Sequence, residues 1–492
     1  MPRIGKNNII GLLLLSTMSG GCTVGPRYQR PPLPPTNHYT QAPISDKTVS
    51  SKSVAGNAQT FYLASTIPAN WWELFHSPSI NRLINKGFLH SPNIGAAKAA
   101  LKVAQENYRA QVGAYLFPQF DAEFDAQRQQ ITGASFGSEM PAPSIYNLFN
   151  SQVNVSYNLD LFGASRNALA ALCAQIDYQA YQLEATYLSL AANIVTTAIT
   201  EASLQKQIQA TRDIIKLEEE LLEITNKQFN VGAASKNAVL TQASQLAQSK
   251  TALPPLQKSL AQTRHSLALL IGEVPSLADI PYISLDEITL PSNLPLTLPS
   301  TLVEQRPDIR ASEALLKQAS AQVGVATANL LPTINLTSTV GWQANQLDQL
   351  FNPNTFIWSI AGQALQPIFH GGSLLAQKRS AVAAFEQARF QYIQTVLSAF
   401  QNVADSLRAI EFDAKALAAQ TESVHAAKAL YELSVKQHEL GAITYLALLN
   451  AQRDYNTAVI SQIQAQALRY TDTAALFQSL GGTWWNQALG GK

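Results

Sequence analysis

Four stretches of this chain alternate apolar and polar residues with a period of two. Phe120, Ala122, Phe124 and Ala126 alternate with Asp121, Glu123, Asp125 and Gln127. Val153, Val155, Tyr157 and Leu159 alternate with Asn154, Ser156, Asn158 and Asp160. In the second half, Ile334, Leu336, Val340 and Trp342 alternate with Thr333, Asn335, Thr337 and Thr339, and Phe356, Trp358 and Ile360 lead a fourth run. A period of two puts the two sets on opposite faces of a strand. Loops rich in Gly, Ser, Pro or Asn separate the members of each pair, which predicts two hairpins, over about 119–160 and about 333–366.

Elsewhere the period is helical, and the order of elements occurs twice. "SPNIGAAKAALKVAQENYRAQVGAYLFP" (Ser91 to Pro118) matches "RPDIRASEALLKQASAQVGVATANLLP" (Arg306 to Pro332) in composition and in its closing proline, where each helix is predicted to stop. A long helix follows each hairpin, from about Gly163 to Asn230 and from about Gly371 to Leu440. Each has about 68 residues, on the order of 100 Å, longer than a globular core holds. In the second, Ile393, Val396, Phe400, Val403, Leu407, Ile410, Ala414 and Leu417 alternate spacings of three and four, a coiled-coil seam. In the first, Leu204, Ile208, Thr211 and Ile215 keep the spacing, but Thr and Glu interrupt it. Each helix ends at a glycine, Gly232 or Gly441, in the similar stretches "NVGAASKNAVLTQA" and "ELGAITYLALLNAQ". These are predicted as helix–turn–helix corners leading into return helices of about 40 residues, so that the helix pairs cover about 163–272 and about 371–480.

The domain organisation follows from this duplication. Residues 1–21 read as a signal peptide, 22–70 as an extended N-terminal arm, 71–297 and 298–482 as two structural repeats, and 483–492 as a tail. The signal reading rests on Arg3 and Lys6 before the apolar run Ile9 to Leu15, then small residues ending in "SGGC" at Cys22. A cysteine after small residues is where a bacterial lipoprotein is cleaved and acylated, although Ser19 stands where such sites usually carry Leu. With Cys22 acylated, only Cys173 remains and no intramolecular disulfide is available.

Of the 492 residues, 14% are charged, against roughly 25% in a soluble protein, and 46% are apolar. A net charge of +1 gives no reason to expect nucleic acid. No later stretch is apolar enough for a membrane helix, so any crossing must be made by strands. Four strands cannot close a barrel, whose smallest outer-membrane form has about eight. Other copies of the chain must complete them. A half-buried soluble sheet would give the same alternation but not the signal segment.

Several motifs together resemble the TolC family of outer-membrane efflux proteins. They are "WWELFHSPSINRLI" (Trp71 to Ile84), "LDLFGASR" (Leu159 to Arg166), "LALLIGEVP" (Leu267 to Pro275), "LPSTLVEQRPDIRASEALL" (Leu298 to Leu316) and "LFQSLGGTWW" (Leu476 to Trp485). With "CTVGPRY" at Cys22, the resemblance is to the NodT-type lipoprotein branch that serves resistance-nodulation-division pumps. It implies a mainly α fold with a membrane β-barrel, assembled as a homotrimer: a twelve-stranded outer-membrane barrel continued by a twelve-helix periplasmic barrel. It implies a passive exit duct for drugs or other small toxic molecules, lipid-anchored in the outer membrane. The partners would be a periplasmic adaptor (membrane-fusion) protein and an inner-membrane pump, with no cofactor beyond the lipid on Cys22.

The resemblance also assigns residues. Adaptor contacts fall at the corners, on Val231, Gly232, Ala233, Ser235, Leu440, Gly441, Ala442 and Thr444, where capping and turning alone would also account for the sequence. A carboxylate and an arginine in a pattern like Asp-Ala-Gln-Arg help close the periplasmic mouth in the family. Here the stretch is "NAQR", so Asn450 brings no charge to Arg453, and Asp454 is the alternative partner. An ordinary solvated arginine is the competing reading of Arg453. If the polar strand face lines the lumen, Asp121, Glu123, Asp125 and Asp160 should favour cations mildly.

Readings as an enzyme are weak. "GASFG" around Ser135 fits a nucleophile elbow but lies in a hairpin loop, with His90 and His265 the nearest histidines on either side. "HELG" at His438 lacks the second histidine of a zinc helix. The remaining alternatives are a duct for protein secretion and a structural coiled-coil protein of the envelope.

Overall fold

The computed structural model describes residues 23–32, 36–63, 67–131 and 144–481; the signal segment with Ser19, Cys22, Ser135 and the tail 483–492 lie outside the described residues. The chain forms two compact units. The first contains Ala100–Gln179 and Ser312–Tyr392 with the N-terminal stretch to Pro31; the second contains Pro32–Ala99, Ala180–Ala311 and the stretch from Ile393 onward.

The element order is duplicated. The first half runs α1 (Pro78–His90), α2 (Pro92–Leu116), β2 (Gln119–Ile131), β3 (Ser144–Leu159), α3 (Ala164–Asn230) and α4 (Lys236–Leu270). The second runs α5 (Pro299–Gln305), α6 (Pro307–Ala328), β5 (Thr333–Ala344), β6 (Phe356–Leu365), α7 (Ser373–Glu439) and α8 (Tyr445–Leu480). Two further short strands, β1 (Thr60–Leu63) and β4 (Asn293–Leu296), pair in parallel. α3 and α7 are each 67 residues long.

In the first unit, β2, β3, β5 and β6 form one antiparallel sheet in that order. The register sets Phe120, Ala122 and Phe124 opposite Val155, Val153 and Ser151, then Val153 opposite Val340, and Val340 opposite Trp358. One face of the sheet is therefore apolar across all four strands, and it is open: Phe120 is 70%, Trp358 69% and Ile360 77% exposed. In water such a face would be buried against another layer. Among the described residues, β2 and β6 are unpaired on their outer sides.

The second unit has the larger core. Trp71 is fully buried and stacks on Phe477 of α8 with centroids 5.4 Å apart, among Phe75, Ile80, Leu83 and Ile84. In α7, Val396, Val403, Leu407, Ile410, Ala414 and Leu417 are buried, the seam that the spacing predicts. The "QRPDIR" motif explains itself here. Arg306 is buried, donates from Nη1 to the carbonyl of Ser479 at 2.8 Å, and pairs with Asp308 at 2.6 Å. A cation on the last carbonyls of α8 opposes the negative end of that helix.

Candidate functional site

The two corners are built alike. At the end of α3, Gly232 N–H donates to Phe229 O at 2.9 Å and Ala233 N–H to Gln228 O at 2.7 Å. At the end of α7, Gly441 N–H donates to His438 O at 2.9 Å and Ala442 N–H to Gln437 O at 2.8 Å. This is a Schellman cap, which needs a left-handed residue; φ is +79° at Gly232 and +70° at Gly441. Three residues later the next helix starts on a hydroxyl. Ser235 accepts from Ala238 N–H at 3.2 Å, and Thr444 from Ala447 N–H at 3.3 Å. Val231 and Leu440 stand at the tips, 79% and 84% exposed. Two large apolar side chains so exposed on tight turns suit contact with another chain.

Beneath the tips lies a cluster of buried and half-buried polar residues, of which the sequence reading named only His438. Tyr445, the first residue of α8, donates its hydroxyl to Oε1 of Gln242 in α4 at 2.6 Å. Gln242 is fully buried and donates from Nε2 to the backbone carbonyl of Glu218 in α3 at 3.2 Å. Thr225 Oγ1 lies 3.3 Å from the Tyr445 hydroxyl, and the His438 ring sits 5.2 Å from the Tyr445 ring. Both carboxyl oxygens of Glu218 are buried. Burial raises the pKa of Glu218, and the nearby Ser249 and Gln245 side chains offset this only in part. Gln452 is buried too, with both ends of its amide unpartnered. The signal was present in the sequence. Glu218 and Thr225 fall on the three-and-four seam continued from Ile215, where a polar residue is out of place.

Asn450 and Arg453 are exposed on α8. Arg453 reaches Asp454 only at 3.9 Å, with both side chains 60% exposed, a pair of small energetic weight. Arg453 borders a cavity of about 380 Å³ with Thr211, Gln245, Ser249, Asn456 and Ile460.

On the sheet, Asp121, Glu123 and Asp125 share the polar face of β2, opposite Asn154, Gln152 and Asn150. Glu123 Oε2 accepts from Gln152 Nε2 at 3.1 Å and from Asn154 Nδ2 at 3.0 Å; Asn154 Oδ1 accepts from Thr339 at 2.8 Å. Asp160 does not belong to this row. It lies one residue past β3 and accepts from the backbone N–H of Arg166 at 2.9 Å and from its Nε at 3.1 Å. Its charge is spent on the first turn of α3, where a carboxylate opposes the helix dipole.

Among the described residues no group of three or more His, Cys, Asp or Glu is placed to hold a metal. No helix among them is long and apolar enough to cross a membrane.

Comparison with known proteins agrees with this arrangement. The antibiotic efflux pump outer membrane protein ArpC of Pseudomonas putida is 28% identical over 483 residues, 98% of this chain and 96% of ArpC. The pyoverdine export outer membrane protein OpmQ of Pseudomonas aeruginosa is 28% identical over 424 residues, 85% of this chain and 88% of OpmQ. The solved structure of the outer-membrane channel OprN superposes with a TM-score of 0.84 at 25% identity, covering 94% of this chain and 100% of that one. A profile of outer membrane efflux proteins, a transport family and not an enzyme family, matches residues 83–273 and 298–482. The chain is an outer-membrane efflux duct and belongs to the outer membrane efflux protein family.

Proposed function

We propose that three copies of the chain assemble into one passive exit duct of a tripartite efflux pump. The observation that carries this is the four-stranded sheet, which among the described residues has one open apolar face and two unpaired edges. In lipid an unpaired edge leaves backbone groups without partners, and closure is the only remedy for strands. Three copies make twelve strands, enough for a barrel whose apolar face meets lipid and whose polar face lines a lumen. The long helices of the three copies continue that lumen as a twelve-helix periplasmic tunnel.

In this reading the six corners of a trimer form the periplasmic mouth. An adaptor anchored to an inner-membrane pump docks on Val231, Gly232, Ala233, Ser235, Leu440, Gly441, Ala442 and Thr444, with Val231 and Leu440 as the apolar anchors. The duct has no energy source of its own; the pump supplies it. Arg453 and Asn450 take part in keeping the mouth shut. Cys22 carries the lipid of a NodT-type lipoprotein. The cargo is a small molecule, since the relatives are named for antibiotic and pyoverdine export; this favours efflux over protein secretion.

The test is planar-bilayer conductance of the purified full chain, with its oligomeric state measured beside it. A trimer giving small, rarely opening steps is the expected result. A monomer, or a folded trimer that never conducts, overturns the reading.

A further inference from the structure

Resting on the duct reading above, we infer that a groove between α6, α7 and the N-terminal arm holds the headgroup of an anionic phospholipid. The lipid would come from the periplasmic leaflet of the outer membrane, with its phosphate on Lys378.

The groove is a cavity of about 540 Å³ within the first unit. Val323 and Thr327 of α6 form one wall and Lys378, Val382, Phe385 and Arg389 of α7 another, with Pro26 of the arm beside them. The arm is a fixed wall. Tyr28 and Arg30 both donate to the carboxylate of Glu313 in α6. Further along, a Cβ on Gly25 would come within 2.7 Å of Gly324 Cα, so arm and helix touch backbone to backbone. Val24 N–H then donates to the carbonyl of Phe162, just past β3, at 3.1 Å. The arm thus climbs α6 toward the strand ends and closes the groove on that side.

The charge on the walls asks for an anion. Among the described residues neither Lys378 nor Arg389 has an ion-pair partner, and Glu386 is the one carboxylate lining the cavity. Glu386 lies within one turn of Arg389 but two turns from Lys378, so the Lys378 end keeps more of its positive field. Val382 and Phe385 lie between the two cations and exclude water, which strengthens a pairing with phosphate.

The position asks for a lipid rather than a free anion. In the duct reading the strands lie in the membrane, β6 ends at Leu365, and α7 starts at Ser373. Lys378 is five residues into α7, about 8 Å along its axis. The headgroup layer is roughly 5–8 Å thick on each side of the hydrocarbon. Side chains on a helix lean toward its N-terminus, and the N-terminus of α7 faces the strands, so Lys378 leans toward that layer. Leu365, Ile368, Phe369 and Leu375 are exposed between β6 and Lys378, where acyl chains would cover them. A free phosphate would leave them bare.

The experiment is native mass spectrometry of the purified full-length protein in detergent, titrated with dioleoylphosphatidylglycerol, dioleoylphosphatidylcholine or inorganic phosphate. The trimer should retain phosphatidylglycerol, one per protomer, at least tenfold more tightly than phosphatidylcholine, and inorganic phosphate should not displace it. Lys378→Gln should weaken retention roughly tenfold, the scale of one charge-assisted hydrogen bond. Adding Arg389→Gln should weaken it further. Arg379→Gln, exposed on α7 but not on the cavity, should stay within twofold of wild type. Val382→Phe narrows the groove without changing its charge, should also release the lipid, and serves where the cation variants assemble poorly. Equal retention of the two lipids, or a Lys378→Gln trimer that binds phosphatidylglycerol like wild type, overturns the site. Displacement by inorganic phosphate overturns it as a lipid site. A folded trimer that retains no lipid, as when a neighbouring protomer fills the groove, overturns it too. A chain that stays monomeric instead removes the duct reading, and the site with it.

Discussion

At the scale of single residues, the second unit holds charge in places where charge is costly, and this makes its stability depend on pH. Glu184 of α3 is buried with Oε2 unpartnered. Burial pushes its pKa up to about 7, and the charge of Arg310 opposes this only in part. Arg310 is itself engaged, donating to the Tyr181 hydroxyl at 2.6 Å and to the Glu304 carbonyl at 3.0 Å. Below the unfolded value of about 4.5 the carboxyl is protonated in both states and has no effect on stability. Between there and pH 7 the folded chain holds a proton that the unfolded chain has lost, so stability falls as pH rises. Above pH 7 the deficit is constant, at about 3 kcal/mol if the whole shift is realised. Glu184→Gln should therefore raise the midpoint of thermal unfolding at pH 8 and leave it unchanged at pH 4. An equal gain at both pH values would mean that the carboxyl is not the cause. Residues of this kind are the least legible in the sequence. Glu184, Glu218 and Gln242 look like ordinary polar residues of a helix until the packing of a second helix takes their water away.

The elements were far easier to read, because each is set by a local rule that the sequence states twice. Both corners show the glycine that permits a left-handed cap and the hydroxyl three residues later that starts the next helix. The strands declare themselves by period, and the observed register keeps each apolar set on one face. What the period could not show is which polar side chains are already committed. Asp160 continues the alternation of β3 but turns to Arg166, whereas Asp121, Glu123 and Asp125 remain a row on β2. The cation preference assigned to the polar face should thus come from β2 alone. Replacing Asp121, Glu123 and Asp125 with Asn, Gln and Asn should bring the cation-to-anion permeability ratio close to one in reversal-potential measurements. Asp160→Asn should leave the ratio unchanged and instead loosen the start of α3. A ratio that falls only with Asp160 would show that the row on β2 does not face the ions.

For the whole molecule, the decisive question is what covers the apolar face of the sheet, because the described residues of one chain leave it bare. A second protein layer and a lipid bilayer would both hide Phe120, Val340, Trp358 and Ile360, and the alternation is the same for either. They differ in how they respond to a charge. In a barrel, a lysine at the middle of a lipid-facing strand costs roughly 2–4 kcal/mol at the bilayer midplane, while the same lysine facing the lumen costs little. Ile360 and Ser359 are adjacent in β6 and point to opposite faces, Ile360 opposite Ser338 and Ser359 opposite Thr339. Each lies near the middle of the ten-residue strand, so depth is nearly the same for both. Ile360→Lys should therefore deplete the trimer from the outer-membrane fraction, while Ser359→Lys should reach the membrane in wild-type amount and alter only conductance. If the apolar face were instead packed on protein, Ile360→Lys would leave the chain misfolded in every solvent, detergent micelles included. Refolding of Ile360→Lys into detergent, where a lysine can reach water at the micelle edge, separates the two. Recovery of the trimer there, together with its loss from membranes, would identify the bilayer as the partner that the open face requires.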